Sequence, residues 1–190
     1  MRLRPARPTE LDEIRDIEAR AAAAFADTAH AALAVPGPED LRSIEALESA
    51  RRRGGLLVAE QDGVLVGFAL SGALGDDAHL EELDVVPEAA GAGIGGALVE
   101  AVCEHARRDG HARIVLTTFS DVPFNAPFYA RRGFRVLDAA ERSAELDAIL
   151  AAEAAAGLDP AARCAMARQL ARAPARASKP CEPTTPRRDA

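Results

Sequence analysis

The chain has 190 residues, enough for one domain with a buried core, because globular domains usually comprise roughly 100 to 200 residues. Its net charge of −7 argues against non-specific nucleic-acid binding, which depends on Lys and Arg that neutralise phosphates. No apolar run approaches the roughly 20 residues of a transmembrane helix, and residues 1–5 contain no apolar signal segment. We therefore expect a cytoplasmic protein with no membrane and no nucleic-acid partner.

The N-terminal part of the sequence predicts two helices followed by a β-hairpin. Apolar residues recur at helical spacing after Thr9, which is the expected N-cap of the first helix. Gln61-Asp62-Gly63 separates two apolar, β-branched segments and is typical of a hairpin turn. The predicted elements are a strand at 2–4, a helix after Thr9, a helix at 39–52, and strands at 56–60 and 64–70.

Strands and helices alternate in the part of the sequence that follows. A glycine-rich turn at 91–96 opens a helix that Gly110 ends. Hairpins followed by such alternation indicate an α/β domain with a mixed sheet. The predicted elements are a strand at 79–86, the helix to residue 108, a strand at 114–118, a short helix at 123–132, a strand at 134–137, a helix at 143–156 and an edge strand at 163–168.

The composition changes at Ala171. The last 20 residues hold four prolines and five basic residues against two acidic ones. Such a segment has too few apolar residues to fold by burial. We therefore predict one domain at 1–170 and a disordered, basic, Pro-rich tail at 171–190.

The turn at 91–96 lies between a strand and a helix, where its glycines leave backbone N–H groups unobstructed. Four unpaired N–H donors and the positive end of the helix dipole attract phosphate oxygens at such a position. The turn predicts a pyrophosphate-binding site. The alternative interpretation is that the glycines only permit close helix packing.

Gly91, Gly93 and Gly96 also match the G-x-G-x-x-G pattern of dinucleotide-binding folds. The turn, however, lies in the middle of the chain after a hairpin, and four residues separate it from the strand end at Val86. The strand at 114–118 also lacks the acidic residue that would bind a ribose at its tip. These features argue against a dinucleotide-binding fold.

Two motifs between residues 79 and 133 carry a family resemblance. The first is Ala90-Gly91-Ala92-Gly93-Ile94-Gly95 after a strand, and the second is Asn125 followed by Tyr129 and then Gly133-Phe134. Together they resemble the GNAT superfamily of N-acetyltransferases. Its signature is Q/R-x-x-G-x-G/A after a strand, then a helix, a strand, and a short helix that ends near a tyrosine.

The resemblance covers about residues 2–137 and implies a GNAT fold with a mixed, mostly antiparallel central sheet flanked by helices. It further implies that an acetyl group moves from acetyl-CoA to a primary amine of a small molecule or a protein, without a metal. The acetyl-CoA contacts that it implies are Leu83, Asp84 and Val85 on the strand, Gly91, Ala92, Gly93, Ile94, Gly95 and Gly96 in the turn, and Asn125.

The chemistry requires a base, because an amine with a pKa near 10.4 is mostly protonated at neutral pH. Strand alternation groups His79 and Glu81 with Leu83 and Val85 on one face. The resemblance places the base on that face, so we predict Glu81 as the base and His79 as its partner or substitute. It also implies that Tyr129 is the acid that protonates the leaving thiolate. The alternatives are a salt-bridged Glu81 and a structural Tyr129.

The sequence departs from the family signature at Ala90, where relatives carry Gln or Arg. Arg131 and Arg132 are the basic residues that can compensate for the missing phosphate contact. Two other functions stay open: a catalytically silent acyl-CoA sensor of the same fold, and an interaction protein that docks through its tail. Dimerisation through the sheet edge or the C-terminal segment also stays open.

Overall fold

The structure, a computed structural model, describes residues 1–170, so the predicted tail at 171–190 lies outside the described residues. The helices are α1 (Leu11–Ala21), α2 (Ile44–Arg52), α3 (Ile94–Arg108), α4 (Ala126–Ala130) and α5 (Ala144–Ala155). The strands are β1 (Arg2–Pro5), β2 (Leu56–Gln61), β3 (Val64–Leu74), β4 (Asp77–Val85), β5 (Arg113–Phe119), β6 (Arg135–Val136) and β7 (Arg163–Gln169). None of the helices in residues 1–170 is long and apolar enough to cross a membrane.

The strands form one seven-stranded sheet in the order β1-β2-β3-β4-β5-β7-β6. Every neighbouring pair is antiparallel except β4 and β5, which run parallel. These two strands pair only through Ala78 with Ile114 and His79 with Val115, and beyond these residues they diverge. The sheet is mixed and mostly antiparallel, as predicted, and it is split at the C-terminal ends of β4 and β5.

One face of the sheet is covered by α3 and α4. Leu98 and Val102 of α3 share a buried cluster with Leu80 of β4 and Leu116 of β5. Tyr129 of α4 belongs to the same cluster. Each fully buried Leu or Val contributes roughly 1.5–3 kcal/mol, so these contacts hold both diverging strands against one helix.

The opposite face is covered by α1, α2 and α5. Ile14 of α1 and Leu47 of α2 share a core with Phe68 of β3. Leu146 of α5 shares a smaller core with Val115, whose two chain neighbours belong to the α3 cluster. Since alternate strand residues face opposite sides, α5 lies on the same side of the sheet as α1 and α2.

Both predicted starts of the N-terminal helices are wrong. Thr9 lies inside a 3-10 turn, where Glu10 accepts a hydrogen bond from the backbone N–H of Arg7 (2.7 Å), and α1 begins only after this turn. The helix predicted at 39–52 begins at Ile44, because Ser43 Oγ caps it by accepting a hydrogen bond from the backbone N–H of Ala46 (3.2 Å). A local side-chain bond decides each boundary.

The strand predicted at the sheet edge is an interior strand. β7 pairs with β5 along its whole length, and β6 pairs with its other side. Ala165, Met166 and Ala167 are all buried, which is the pattern of a strand covered on both faces. In the sequence these residues lie between Arg163 and Arg168, and the two charged side chains suggest a strand with one face in solvent. The other elements are confirmed within a few residues, although α4 and β6 are shorter than predicted.

A three-residue ion network ties β1 to β2 and to the turn that precedes α1. The Arg4 guanidinium, whose side chain is only 9% exposed, donates to Glu10 (2.8 Å) and to Glu60 (2.6 Å). The hydrogen bonds from Arg4 hold the pKa of Glu10 below its usual value. Glu10 therefore contributes stability above the pKa of the unfolded state, and this stability is lost as the pH falls through the lower folded-state pKa.

We expect Glu10→Gln to lower the free energy of unfolding by about 2 kcal/mol at pH 7, because a largely buried charged hydrogen bond is lost. The difference from wild type should shrink as the pH falls below about 4, where the carboxyl group of the unfolded chain is also protonated. Urea unfolding at pH 7 and at a pH below about 4 measures the difference in unfolding free energy between the variant and wild type. Glu104→Gln, in an exposed pair with Arg107, is the control and should have little effect. Equal losses in both variants would contradict the prediction.

Candidate active site

A cleft of about 720 Å³ opens where β4 and β5 diverge. Its lining residues come from both sides of the sheet: Ile94 and Tyr129 belong to the side of α3 and α4, whereas Phe25 and Arg42 come from the segments around α1 and α2. The cleft therefore passes through the plane of the sheet and has a mouth on each face. Two molecules that enter from opposite faces can meet at the split edge of β4.

The split exposes backbone groups of β4 to the cleft. Val86 N–H donates to Val66 O of β3 (3.0 Å). In an antiparallel pair, residues that hydrogen-bond to the partner strand alternate with residues whose N–H and C=O groups point away from it. In this part of β4 those residues are Leu83 and Val85, whose N–H and C=O groups point to the cleft. Asp84, which the sequence grouped with them, turns its backbone toward β3 instead.

A β-bulge in β4 overturns the predicted grouping of its side chains. Leu70 pairs with Glu82 and the next residue of β3 pairs with Leu80, so Glu81 is an extra residue in β4. After the bulge Leu83 stays on the α3 side, whereas Glu82 and Asp84 lie opposite Phe68 and Leu70, on the face of α1 and α2. The strict alternation that grouped Glu81 with Leu83 and Val85 is therefore wrong.

The three predicted catalytic residues occupy different positions. Glu81 lines the cleft, but its Oε1 lies 2.6 Å from where a Cβ on Gly72 would be, so the carboxylate extends over β3 and away from the split. His79 pairs with Val115 before the point where β4 and β5 diverge, and burial lowers the pKa of His79. Tyr129 lines the cleft and is buried, and burial, followed by the charges of nearby carboxylates, raises its pKa.

The mouth on the α1 and α2 face is lined by carboxylates. Glu82 pairs with Arg42 (3.1 Å), and the Arg42 backbone N–H donates to Glu18 (3.1 Å). Asp84 Oδ2 is buried and has no hydrogen-bond partner among residues 1–170. Burial first, and then the charge of Glu82, raise the pKa of Asp84 well above its usual value. Burial also raises the pKa of Glu82, although Arg42 opposes this shift.

A second ion pair stands across this mouth on β7 and α5. Arg163 donates to Glu153 (2.7 Å) and to Thr117 Oγ1 (3.2 Å), and its guanidinium lies 4.5 Å from the ring centre of Phe119. Sequence reasoning missed Glu82, Arg42, Glu153 and Arg163 as site residues. They come from segments far apart in the chain, and no local motif joins them.

Aromatic rings cover the same mouth. Phe25 contacts Phe119 and Phe124 edge to face, with ring centres 5.6 and 5.3 Å apart. His30 lies against Phe119 and its Nε2 is 3.0 Å from both carboxylate oxygens of Asp121. This contact joins the segment after α1 to the loop after β5.

The glycine turn lies at the other mouth. Gly91 and Gly93 adopt positive φ angles of 78° and 81°, and a Cβ on either would meet nothing within 4 Å. The first helical bond of α3 runs from Ala97 N to Gly93 O, so the N–H groups of Ile94 and the two glycines after it have no partner within the helix. Ala92 is exposed and is not among the residues that line the cleft.

Short α4 brings two further residues to this mouth. Asn125 lines the cleft, and its backbone oxygen accepts the N–H groups of Phe128 (2.8 Å) and Tyr129 (3.1 Å). The Arg132 guanidinium lies 3.7 Å from the ring centre of Phe128 and 2.6 Å from where a Cβ on Gly96 would be. A positive charge is thus present at the turn although Ala90 supplies none.

Comparisons with known proteins agree with this architecture. The model of the acetyltransferase (GNAT) family matches residues 13–134, which is more than half of the chain. The protein therefore belongs to the GNAT acetyltransferase family, and the class of enzyme that this family defines is an acyltransferase.

Several solved structures share the fold at low sequence identity. An N-acetylglutamate synthase from Neisseria gonorrhoeae, solved with coenzyme A and N-acetyl-glutamate, is 21% identical with a TM-score of 0.67; the match covers 90% of this chain but only 35% of the synthase, so the chain spans about a third of that protein. A ribosomal-protein-alanine N-acetyltransferase from Brucella melitensis is 21% identical (TM-score 0.63, covering 90% of this chain and 100% of that one). The PaiA N-acetyltransferase from Thermoplasma acidophilum, solved with coenzyme A, is 18% identical (TM-score 0.64, 88% and 98%).

We expect Asp84→Asn to raise the free energy of unfolding at pH 7.5 by roughly 1–2 kcal/mol. A carboxyl whose pKa is raised in the fold makes the protein less stable as the pH rises from the unfolded-state pKa, about 3.9 for Asp, through the folded-state pKa. The gain should therefore shrink at pH 4. Thermal unfolding at both pH values measures it, with exposed Asp12→Asn as the control. If Asp84→Asn instead lowers the free energy of unfolding at pH 7.5, Asp84 Oδ2 has a hydrogen-bond partner and the prediction is wrong.

Proposed function

We propose that the protein is an N-acetyltransferase that moves an acetyl group from acetyl-CoA to a primary amine. One observation carries this proposal: a single cleft runs through the sheet with an anion-binding turn at one mouth and carboxylates at the other. The synthase and PaiA structures named above hold coenzyme A, which supports the choice of acyl donor.

The turn and β4 are suited to the two ends of the donor. The free N–H groups of Gly91 and 93–96, with Arg132 beside them, offer donors and positive charge to the pyrophosphate. The outward backbone groups of Leu83 and Val85 can pair with the amides of the pantetheine arm in the way that an added strand would. Asn125 also lines the cleft.

The carboxylates of β4 supply the base. An alkylammonium loses a proton to a carboxylate, and the neutral amine attacks the thioester carbonyl, so that a C–N bond forms and the C–S bond breaks. Glu81 is the base that the sequence predicted. A backbone N–H at Leu83 or Val85 can donate to the oxyanion that forms on the carbonyl oxygen.

Tyr129 is suited to stabilise the leaving sulfur. Its raised pKa lies far above that of a thiol, about 8.5. Tyr129 therefore does not end the reaction ionised: it donates a hydrogen bond to the thiolate, and the proton that the sulfur retains is the second one lost by the amine. This refines the role of general acid that the family resemblance implies.

We expect Tyr129→Phe to lower kcat about 100-fold, the lower end of the range for loss of one hydrogen-bond donor to a developing negative charge, and to leave the Kd of acetyl-CoA unchanged. Calorimetric titration measures the Kd, and thiol release with a panel of primary amines measures kcat. Binding without thiol release in the wild-type protein would favour the silent acyl-CoA sensor. If acetyl-CoA does not bind at all, the proposed function is wrong.

We expect Arg132→Ala to raise the Kd of acetyl-CoA by roughly 10- to 100-fold, because a hydrogen bond to a charged group contributes about 1.5–3 kcal/mol. The same calorimetric titration measures it. Arg108→Ala, at the opposite end of α3, is the matched control and should leave the Kd unchanged. An unchanged Kd in Arg132→Ala would mean that the turn binds phosphate through its backbone alone.

A further inference from the structure

Charge is segregated between the two mouths of the cleft. The Arg132 guanidinium lies against Gly96 of the glycine turn, and Arg131 also lines the cleft. The other mouth is lined by the carboxylates of Glu82, Asp84 and Glu153; Glu81 also lines the cleft, but its carboxylate extends over β3. A cationic group is attracted to the second mouth and an anionic one to the first.

The two arginines of the carboxylate-lined mouth are already paired. Arg42 donates to Glu82 from both Nε (3.3 Å) and Nη2 (3.1 Å), and Arg163 holds Glu153 through two bonds of 2.7 and 2.9 Å. An acceptor that carries a carboxylate beside its amine would have to break one of these pairs or remain unpaired next to the carboxylates of this mouth, and both are costly. The mouth is therefore unsuited to an amino-acid acceptor.

The same mouth has a wall that favours an apolar group. Phe25, Phe119 and Phe124 form a continuous edge-to-face cluster, and Phe124 is 40% exposed. Leu33 lines the cleft beside them. An aromatic or alkyl stem can be buried there while its amine reaches the carboxylates.

Asp84 is better placed than Glu81 to receive that amine. The bulge turns the Glu81 carboxylate over Gly72 of β3, away from the split. Asp84 lies next to Leu83 and Val85, whose backbone groups face the cleft, and its Oδ2 is a buried acceptor without a partner in residues 1–170. A buried acceptor in a binding cleft is satisfied when a donor of the ligand reaches it.

We propose that the acceptor is a primary alkylammonium on an apolar stem, without a neighbouring carboxylate, and that Asp84 binds this ammonium and takes its first proton. This inference rests on the proposed function and adds the acceptor class and the identity of the base.

The proton balance closes with groups that the cleft contains. Asp84 takes one proton from the ammonium, the amine nitrogen bonds to the acetyl carbon, and the C–S bond breaks. The second amine proton goes to the coenzyme A sulfur, which Tyr129 hydrogen-bonds, and Asp84 then releases its proton to water. The products are the N-acetylated amine, coenzyme A and one proton.

The electrostatic surroundings suit Asp84 to this role. The charged groups that face it are Glu82 on its own strand, Glu18 on α1 and Arg42, with Tyr129 across the cleft. Burial and the neighbouring carboxylates raise the pKa of Asp84, and burial raises the pKa of Glu18 to about 7. A base with a raised pKa is better matched to an alkylammonium than an ordinary carboxylate is.

Phenethylamine and L-phenylalanine test the acceptor class, because they share a stem and differ only in the carboxylate. We expect the wild-type protein to release thiol from acetyl-CoA with phenethylamine. We expect kcat/KM for L-phenylalanine to be lower than that for phenethylamine by a factor of about 10 or more. If the protein binds acetyl-CoA but does not turn over phenethylamine, or prefers L-phenylalanine, the acceptor class is wrong. Failure to bind acetyl-CoA would instead reject the proposed function.

The pH dependence of kcat/KM for phenethylamine tests Asp84. The wild-type profile should reach a plateau above the pKa of Asp84, whereas Asp84→Asn should be about 100-fold slower near pH 7 and gain about tenfold per pH unit up to pH 9, as free amine accumulates. Glu81→Gln should keep the plateau, and exposed Asp12→Asn is the control for the substitution itself. A plateau retained in Asp84→Asn and lost in Glu81→Gln would assign the base to Glu81 and overturn the proposal.

Discussion

The loss of pairing between β4 and β5 is the constraint on which the rest of the site depends. Two parallel strands that pair only at Ala78–Ile114 and His79–Val115 leave the side of β4 that faces β5 without a partner strand in the middle of a sheet. Unpaired backbone groups in a protein interior are costly unless a ligand or water reaches them. The split therefore creates both an opening through the sheet and a row of donors and acceptors along its edge. It also allows residues from opposite faces, such as Tyr129 and Asp84, to line one cavity.

The packed faces hold this opening in place. The cluster around Leu98 and Val102 joins β4 and β5 through α3 on one side, and the cores under α1, α2 and α5 hold them on the other. These apolar contacts stabilise strands that do not hydrogen-bond to each other. They also offset the carboxylates of Glu82 and Asp84, whose raised pKa values reduce stability at neutral pH. The acidic mouth is thus a destabilising feature, as is usual where function rather than folding determines the residue.

The sequence predicted the residues on the glycine-turn side of the cleft better than those on the carboxylate side, because the former lie within local motifs. The glycine turn, Asn125 and Tyr129 lie within short motifs whose spacing carries their meaning, and the structure brings them to one cavity. The side chains of Glu82 and Asp84 were misjudged because a single bulged residue at Glu81 reverses the alternation after it. The ion pairs of Arg42 and Arg163 join segments 40 and 10 residues apart through tertiary contacts. The interior position of β7 was hidden for a related reason, since it depends on which strands flank it.

Helix α4 and the residues that follow it connect the lining of the cleft to the glycine turn. Tyr129 lies in α4 and Arg132 follows the helix by two residues, so one short segment places the tyrosine in the lining of the cleft and the guanidinium beside Gly96. The backbone oxygen of Asn125 closes the first turn of α4 by accepting two N–H groups. The Arg132 side chain donates to Phe128 O (2.9 Å). Arg132 therefore supplies, next to the glycine turn, a positive charge that Ala90 cannot supply. Phosphate binding at Arg132 would then also fix Tyr129 relative to the sulfur, and binding of the donor would set the geometry of the leaving group.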